Sequence, residues 1–200
     1  MLPDIVYSQS YSESAPTAAQ VQPDEKGRPK LTQTLDLVFI GVSDDMYSLF
    51  GHAAILLREP GLPLGDSRLF NFGVTSFAEE NYVQKFIGGR VKFWVDEKPY
   101  GSQLRRWAKA DRTVTRYPLK LSPLASSHLI EELEQAVRPE NRAFLYDTFR
   151  ANCATKILQL INTHTEGRLQ AELAKRPGNR SFRDDVRMTY AGRLSYLLAT

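Results

Sequence analysis

The sequence predicts an α+β domain, and three observations support that class. Its 200 residues fit one domain of ordinary size. Hydrophobic residues make up 42% and charged residues 24%, a globular balance that excludes a collagen, a coiled coil or a wholly disordered chain. Segments with strand alternation are mixed with unevenly spaced segments of helical periodicity, which favours α+β over a regular βαβ series.

The predicted elements begin at residue 35. Strands are predicted at 35–40, 53–57, 68–74, 91–95 and 113–121. Helices are predicted at 82–87, 103–109, 154–161 and 182–190. A further helix begins at Ser122 and Pro123, an N-cap and first-turn pair, and is ended by Pro139. The order shows no internal repeat, which indicates one mixed domain.

Residues 1–30 are predicted to be a flexible N-terminal tail, and residues 31–200 to form the domain. The tail is rich in Ser, Ala, Gln and Pro, so it cannot bury enough apolar surface to offset the entropy of ordering. It lacks the basic start and apolar core of a secretory signal. No apolar run in the chain approaches the roughly 20 residues that a membrane span needs. We therefore expect the chain as given to be soluble.

Charge and cysteine content narrow the function classes. The formal net charge is +3, with Lys and Arg scattered between Asp and Glu, so nucleic acid is not an expected partner. The single cysteine, Cys153, excludes an internal disulfide and a multi-thiolate zinc site. We expect no metal and no other cofactor.

Cys153 has two interpretations. Asn152 is a good helix N-cap, which would place Cys153 in the first helical turn, where the helix dipole favours a thiolate nucleophile. Alternatively, Cys153 shares a helical face with Ile157 and Leu160 and is a small core residue. Spacing alone leaves both interpretations open.

A nucleophilic cysteine needs a base, and the chain offers three histidines. His52 lies between two small residues at a strand start, where its imidazole could take a thiol proton near neutral pH; a partly buried structural histidine is the alternative. His128 is predicted to be solvated and His164 to end a helix, and neither is assigned a function. If the second and third strands form a hairpin, Asn71 could hold the His52 ring by a hydrogen bond; an edge-strand asparagine facing water is the alternative.

Several blocks of sequence resemble one known family. The matching blocks are Ser48-Leu49-Phe50-Gly51-His52-Ala53-Ala54, Phe70-Asn71-Phe72-Gly73, Asn141-Arg142, Tyr146-Asp147, Asn152-Cys153-Ala154-Thr155 and Ser181-Phe182-Arg183-Asp184. In this order, over residues 35 to 190, they resemble the bacterial Lnb-type N-terminal periplasmic domain family. The Phe-Gly-His and Asn-Cys blocks are the specific part. One departure is that residues 74–77 lack the acidic residue that the family commonly has after its Asn-x-Gly.

The resemblance implies a fold and a site. The family is similar to circularly permuted NlpC-type thiol enzymes, which implies a papain-like domain with an antiparallel sheet and packed helices. It implies that Cys153 is the nucleophile, His52 its base and, by analogy, Asn71 the orienting group. Four supporting residues belong to the matched blocks: Asn152, Asp147, Tyr146 and Arg142. For the last three we expect a scaffold around the helix start, with a buried pairing of Asp147 and Arg142 or support for Cys153 as the two options.

The resemblance also implies a cellular location and a class of reaction. Lnb proteins are associated with acyl transfer on the N-terminal cysteine of a bacterial lipoprotein, which implies a cysteine-dependent acyltransferase or acyl hydrolase of the periplasm or cell envelope. Its partner would be an acyl-bearing lipid or lipoprotein, with peripheral membrane association. Two alternatives stay open: a cysteine peptidase or amidase acting on a peptidoglycan peptide, and a non-catalytic envelope binding domain.

Overall fold

The computed structural model describes residues 21–23, 29–31, 33–44, 48–78, 80–87, 89–176 and 178–190. The chain divides into two compact units, residues 1–32 and 33–200. In the first unit, strands β1 (Val21–Pro23) and β2 (Pro29–Leu31) pair as a small antiparallel sheet. These strands lie largely within the predicted tail. The rest of that tail, including residues 1–20, lies outside the described residues, and its flexibility stays a prediction.

The second unit is built on a six-stranded, open, antiparallel sheet. Its strands are β3 (Thr34–Ile40), β4 (His52–Arg58), β5 (Arg68–Val74), β6 (Lys92–Pro99), β7 (Val114–Pro118) and β8 (Ala143–Leu145). They are ordered β7-β3-β4-β5-β6-β8, and all neighbours are antiparallel. The predicted α+β class with an antiparallel sheet and packed helices is therefore confirmed.

The helices of this unit, within the described residues, agree with the prediction in all but one case. They are α1 (Tyr82–Ile87), α2 (Tyr100–Lys109), α3 (Pro123–Ala136), α4 (Cys153–Thr163), α5 (Arg168–Ala174) and α6 (Phe182–Tyr190). Ser122 caps α3 by accepting a hydrogen bond from the Ala125 N–H, as its sequence indicated. The unpredicted helix, α5, follows Gly167 in the left-handed region and has no buried residue, so it carries little periodic signal.

The sheet buries apolar side chains on both faces. Helices α3 and α4 contribute to one cluster and α2 to the other. The first cluster contains, among others, Ala53, Ile55, Phe70, Leu129, Leu133, Ile157, Leu160 and Ile161. The second contains Val38, Ile40, Ala54, Leu56, Leu69, Tyr100 and Trp107. Burying each large side chain contributes about 1.5–3 kcal/mol, so these clusters hold the central strands β3, β4 and β5 firmly in place.

The ladder between β4 and β5 stops short of the β4 start. Its last register pair at this end is Ala54 with Asn71, so His52 and Ala53 lie beyond it. On the other side of β5, the register shifts at Gly73, which has a φ of +103°. The regular pairing of β4 with β5 therefore ends here, and Cys153, the first residue of α4, lies against Gly73 at this end of the sheet.

None of the helices in the described part of the chain is long and apolar enough to cross a membrane.

Candidate active site

Cys153 is the first residue of α4, and the preceding residue holds it there. The Asn152 side chain accepts a hydrogen bond of 2.9 Å from the Thr155 N–H, while the Thr155 hydroxyl accepts one of 2.8 Å from the Asn152 N–H. The Asn152 amide also donates to the Thr148 carbonyl at 2.7 Å. This reciprocal capping box confirms the predicted helix start and fixes the backbone on both sides of the thiol.

Cys153 lies against the end of β4 and β5 where their regular pairing stops. Backbone N–H groups of Ala53, Ala154 and Cys153 itself lie near the sulfur and act to lower the pKa of the thiol. A Cβ added at Gly73 would lie 3.9 Å from the Cys153 Cβ. The structure thus brings Cys153 against Ala53, the residue that follows His52, although the two are far apart in sequence.

His52 begins β4 and follows a glycine that the backbone requires. Gly51 has a φ of +73°, and a Cβ there would lie 2.9 Å from the carbonyl oxygen of Ile40, which is a clash. Ile40 is also the register partner of His52 on β3. The Gly-His pair of the sequence block is therefore the tight entry into β4 that sets the position of the imidazole.

Asn71 accepts a hydrogen bond from the His52 ring. The Nε2 atom of His52 lies 3.3 Å from Oδ1 of Asn71. Because an amide oxygen only accepts, Nε2 carries the proton and the lone pair is left on Nδ1. Asn71 is 5% exposed on the internal strand β5, which contradicts the alternative of an edge asparagine facing water. The hydrogen bond expected from the hairpin is present.

His52 is held in its neutral form. Burial lowers its pKa from 6.5 to about 4; the hydrogen bond to Asn71 opposes this shift, and the positive charge of Arg112 adds to it. The imidazole is therefore unprotonated at neutral pH and able to accept a proton through Nδ1.

Burial raises the pKa of the Cys153 thiol, although its backbone N–H partners and the charge of Arg112 act in the opposite direction. The direction of this shift is opposite to the one expected from the helix start, because desolvation outweighs the helix dipole. Both Cys153 and His52 are therefore neutral in the resting protein.

Arg112 is a site neighbour that sequence reasoning missed. Its Nε donates to the Gly41 carbonyl at 2.7 Å and its Nη1 to the Ser48 hydroxyl at 3.2 Å. These bonds tie the β7 side of the sheet to the loop before β4. Arg112 lies in the segment between α2 and β7, where no sequence pattern indicates a functional role. Its place next to the site is visible only from its contacts with Gly41 and Ser48, which are distant in sequence.

The other predicted supporting residues form the scaffold. Asp147 accepts hydrogen bonds from the Phe149 and Arg150 N–H groups at 2.9 and 2.8 Å, and these bonds lower the pKa of its carboxyl. It thereby shapes the loop that leads to Asn152. Asp147 and Arg142 are both exposed, so the option of a buried pairing between them is wrong. The Asp147 carboxylate instead accepts hydrogen bonds from the backbone of its own turn.

Tyr146 packs next to the site rather than in it. Its ring stacks on Phe93 with centroids 4.1 Å apart, and on Phe86 at 5.7 Å. Phe93 in turn lies 3.8 Å from the position of a Cβ at Gly73. The aromatic stack therefore supports the strand bulge against which Cys153 lies.

The C-terminal block Ser181-Phe182-Arg183-Asp184 has a local structural role. The Ser181 hydroxyl and N–H donate to the Asp184 carboxylate at 2.7 and 2.8 Å, which caps the start of α6. Phe182 stacks on Phe149, four residues before Cys153, with centroids 4.5 Å apart. The block thus anchors α6 to the loop that precedes the nucleophile position.

The other two histidines lie elsewhere. His164 ends α4 and lies 2.6 Å from the Glu132 carboxylate on α3, and the exposed His128 ring is 6.2 Å from the His164 ring. Within the described ranges, no cluster of three His, Cys, Asp or Glu side chains could hold a metal ion.

Comparison with known proteins gives one match. The family model described as the Lnb N-terminal periplasmic domain matches residues 29–192. Comparison with curated proteins and with solved structures gave no match. The family match spans about four fifths of the chain and contains the capped cysteine, the strand histidine and its asparagine partner. This chain therefore belongs to the Lnb N-terminal periplasmic domain family.

Proposed function

We propose that this protein is a cysteine-dependent acyltransferase or acyl hydrolase of the bacterial cell envelope. Cys153 is the nucleophile, His52 the general base and Asn71 the group that orients His52. The observation that carries the proposal is the convergence of α4, β4 and β5 at one end of the sheet. There the Cys153 thiol lies near the backbone N–H of Ala53, the residue after His52, and the His52 ring is hydrogen-bonded to Asn71. An early histidine strand followed by a late cysteine helix is also the order of a circularly permuted NlpC-type enzyme, and that relationship is part of the proposal.

The first step forms a thioester. Sγ of Cys153 attacks the acyl carbonyl carbon while its proton passes to Nδ1 of His52, and the carbonyl oxygen becomes an oxyanion. Because thiol and imidazole are both neutral at rest, the proton leaves as the carbon–sulfur bond forms. Backbone N–H groups at the α4 start supply hydrogen bonds to the developing negative charge. Asn71 keeps the Nε2–H in place, so Nδ1 stays directed to the thiol.

The second step expels the leaving group. The imidazolium of His52 gives its proton to the leaving alkoxide or amine as the tetrahedral intermediate collapses. Its pKa of about 4 makes it a strong acid for this purpose. An acceptor then gives its proton to His52 and attacks the thioester carbon; the carbon–sulfur bond breaks and the proton passes from His52 to the sulfur of Cys153. Water as the acceptor makes the protein a hydrolase, whereas an amine or hydroxyl makes it a transferase.

Exposed aromatic side chains near the site favour an acyl-bearing lipid or lipoprotein over a peptidoglycan peptide. Phe39 is the register partner of Ala53, so the two side chains share a sheet face, and Phe39 is 44% exposed. Phe50, two residues before His52, is 50% exposed, and Phe182, stacked on the cysteine loop, is 62% exposed. Such side chains suit an acyl chain or a peripheral contact with the membrane.

The test is capture of the acyl-enzyme. The protein is incubated in parallel with diacyl lipids, with a diacylated lipopeptide and with peptidoglycan fragments. We expect an acyl-sized mass increase on Cys153 that hydroxylamine releases, with none in Cys153→Ala. Turnover of the peptidoglycan fragments alone would replace the proposal by the amidase, and turnover of neither would leave a binding domain.

A further inference from the structure

Arg112 lies between α2 and β7, and its side chain makes two hydrogen bonds to the connection that leads into β4. Its Nε donates to the Gly41 carbonyl at 2.7 Å, and its Nη1 donates to the Ser48 hydroxyl at 3.2 Å. Gly41 directly follows β3, whereas Ser48 lies four residues before His52. One guanidinium therefore binds a residue near each end of the connection between β3 and β4.

The backbone is closely packed at both of these residues. The Gly41 N–H donates to the Thr113 carbonyl at 2.8 Å, and a Cβ added at Gly41 would lie 2.3 Å from Oγ1 of Thr113. Glycine at this position therefore permits the close approach of Thr113, the residue after Arg112. The Ser48 carbonyl accepts a hydrogen bond from the Gly51 N–H at 3.1 Å. The residue whose side chain Arg112 holds thus also closes the turn that ends at Gly51.

This turn sets the position of His52. Gly51 precedes His52 directly, and its φ of +73° leaves no room for a Cβ beside the Ile40 carbonyl. On the β3 side, His52 pairs with Ile40. On the β5 side, the regular ladder begins only at Ala54. The His52 backbone is therefore held by β3 and by the turn before it, so a displaced turn would displace the imidazole.

Arg112 also acts on both site residues through its charge. That charge lowers the pKa of the Cys153 thiol, which favours the thiolate, and lowers the pKa of His52, which keeps the imidazole able to accept a proton. A lysine would supply the same charge, but its ammonium lacks the planar fork that reaches Gly41 and Ser48 together. Substitution can therefore separate the charge from the hydrogen bonds.

We infer that Arg112 is a positioning residue for the proposed reaction, which holds His52 in place for proton transfer by fixing Gly41 and Ser48. The inference rests on the proposed function, because it gives Arg112 a part in the step in which His52 takes the thiol proton. A purely structural arginine would affect the stability of the sheet and leave the rate of each folded molecule unchanged.

The experiment compares Arg112→Gln with Arg106→Gln, which removes the same charge from an exposed position on α2. The rate of acyl-enzyme formation on Cys153 is measured with the diacylated lipopeptide and corrected for the folded fraction, which urea unfolding gives. We expect Arg112→Gln to lower the maximal rate about tenfold, and the control less than about twofold, because a displaced base slows proton transfer. The half-saturating concentration should stay the same in both variants.

Two further variants separate the hydrogen bonds from the charge. Ser48→Ala removes the partner of Nη1 and keeps the arginine, so we expect the maximal rate to fall about threefold, with little further loss when it is combined with Arg112→Gln. Arg112→Lys keeps the charge and should still lose about threefold in maximal rate. Ser48→Ala also tests the inference if Arg112→Gln does not fold.

A second readout does not depend on catalysis. The pKa of His52, about 4 in the parent, is followed by NMR of its ring nitrogens. We expect it to rise in Ser48→Ala, because a loosened turn admits water and weakens the desolvation that lowers it. Arg106→Gln should leave it unchanged.

Three results separate the outcomes. Equal maximal rates in Arg112→Gln and Arg106→Gln would overturn the inference and leave Arg112 a structural residue. Fully independent losses from Ser48→Ala and Arg112→Gln, or an unchanged pKa of His52 in Ser48→Ala, would overturn it as well. A parent protein that captures no acyl group, with a raised pKa of His52 in Ser48→Ala, would retain the hold on His52 and reject the proposed function.

Discussion

Two groups of polar side chains, each with at least one buried member, lie on the same sheet and have opposite electrostatic surroundings. Asp36 on β3 is 2% exposed and lies 3.2 Å from Nε of Arg58 and 3.1 Å from Nη1 of Arg116. His52 is paired instead with the neutral side chain of Asn71. The first group is surrounded by counter-charges, whereas the second is kept neutral.

The pKa shifts of the two groups have the same main cause and different consequences. Burial raises the pKa of the Asp36 carboxyl even though Arg58 and Arg116 lower it. Its Oδ1 has no hydrogen-bond donor within the described chain, which leaves part of its desolvation uncompensated. Burial lowers the pKa of His52 to about 4. In the first group, two arginine side chains are bound to one carboxylate and stabilise the sheet. In the second group, the imidazole is left neutral and able to accept a proton.

The largest expected effect is on catalysis, and it follows from replacing His52, the neutral imidazole. His52→Gln keeps an amide near Asn71 but removes the proton acceptor, so we expect acyl-enzyme formation to slow by about 10³-fold. The rate of mass increase on Cys153 measures this, with the exposed His128→Gln as the matched control. Equal rates for both variants would remove His52 from the mechanism.

The second effect is a pH dependence of stability. The folded-state pKa of His52, about 4, is below its unfolded value of 6.5. The unfolded chain therefore binds more protons between these values, and the contribution is present above pH 6.5 and lost as the pH falls toward 4. We expect the parent to lose about 3 kcal/mol more unfolding free energy than His52→Gln between pH 7 and pH 4.

Urea unfolding at the two pH values measures this difference. The Asp36 carboxyl is present in both proteins, so its own titration cancels in the comparison. The same loss in parent and variant would show that folding does not lower the pKa of His52.

The third effect is structural and concerns the charged group. Asp36→Asn keeps the shape but leaves Arg58 and Arg116 without their counter-charge, and we expect a loss of about 2 kcal/mol in unfolding free energy. The loss is moderate because the two arginine side chains are 38% and 24% exposed, so water still solvates them. Glu172→Gln, which breaks the surface pair with Lys175, should change stability by less than about 0.5 kcal/mol. A stabilised Asp36→Asn would mean that desolvation of the carboxylate exceeds its attraction to both arginines.

The smallest effect concerns the orienting group. Asn71→Ala leaves His52 in place but frees the ring, so we expect acyl-enzyme formation to slow by about tenfold, well short of the His52 variant. Asn71→Asp adds a negative charge next to the ring and should raise the pKa of His52, which would move the acidic limb of the pH–rate profile upward. An unchanged profile in Asn71→Asp would contradict the hydrogen bond.

Much of the local structure was predictable because its causes are local. Ser122 with Pro123, and Asn152 with Thr155, are capping arrangements within one helical turn, and both are where the sequence indicated. The contact of His52 with Asn71 was predictable for a similar reason: the strands that carry them are neighbours in sequence and pair as a hairpin. The three-residue strand β8 and the short helix α5 were missed because neither is long enough to show a period.

The sequence by itself determined the α+β class, the helix that begins at Cys153 and the residues that accompany it, because caps, turns and periodicity act over a few residues. Only the tertiary structure decided that Cys153 lies against Ala53 and Gly73, that the charge of Arg112 acts on both Cys153 and His52, and that the pKa of the thiol is raised. The physical reason is that desolvation and Coulomb interactions depend on every group that folding brings near an ionisable atom, and those groups come from distant parts of the chain.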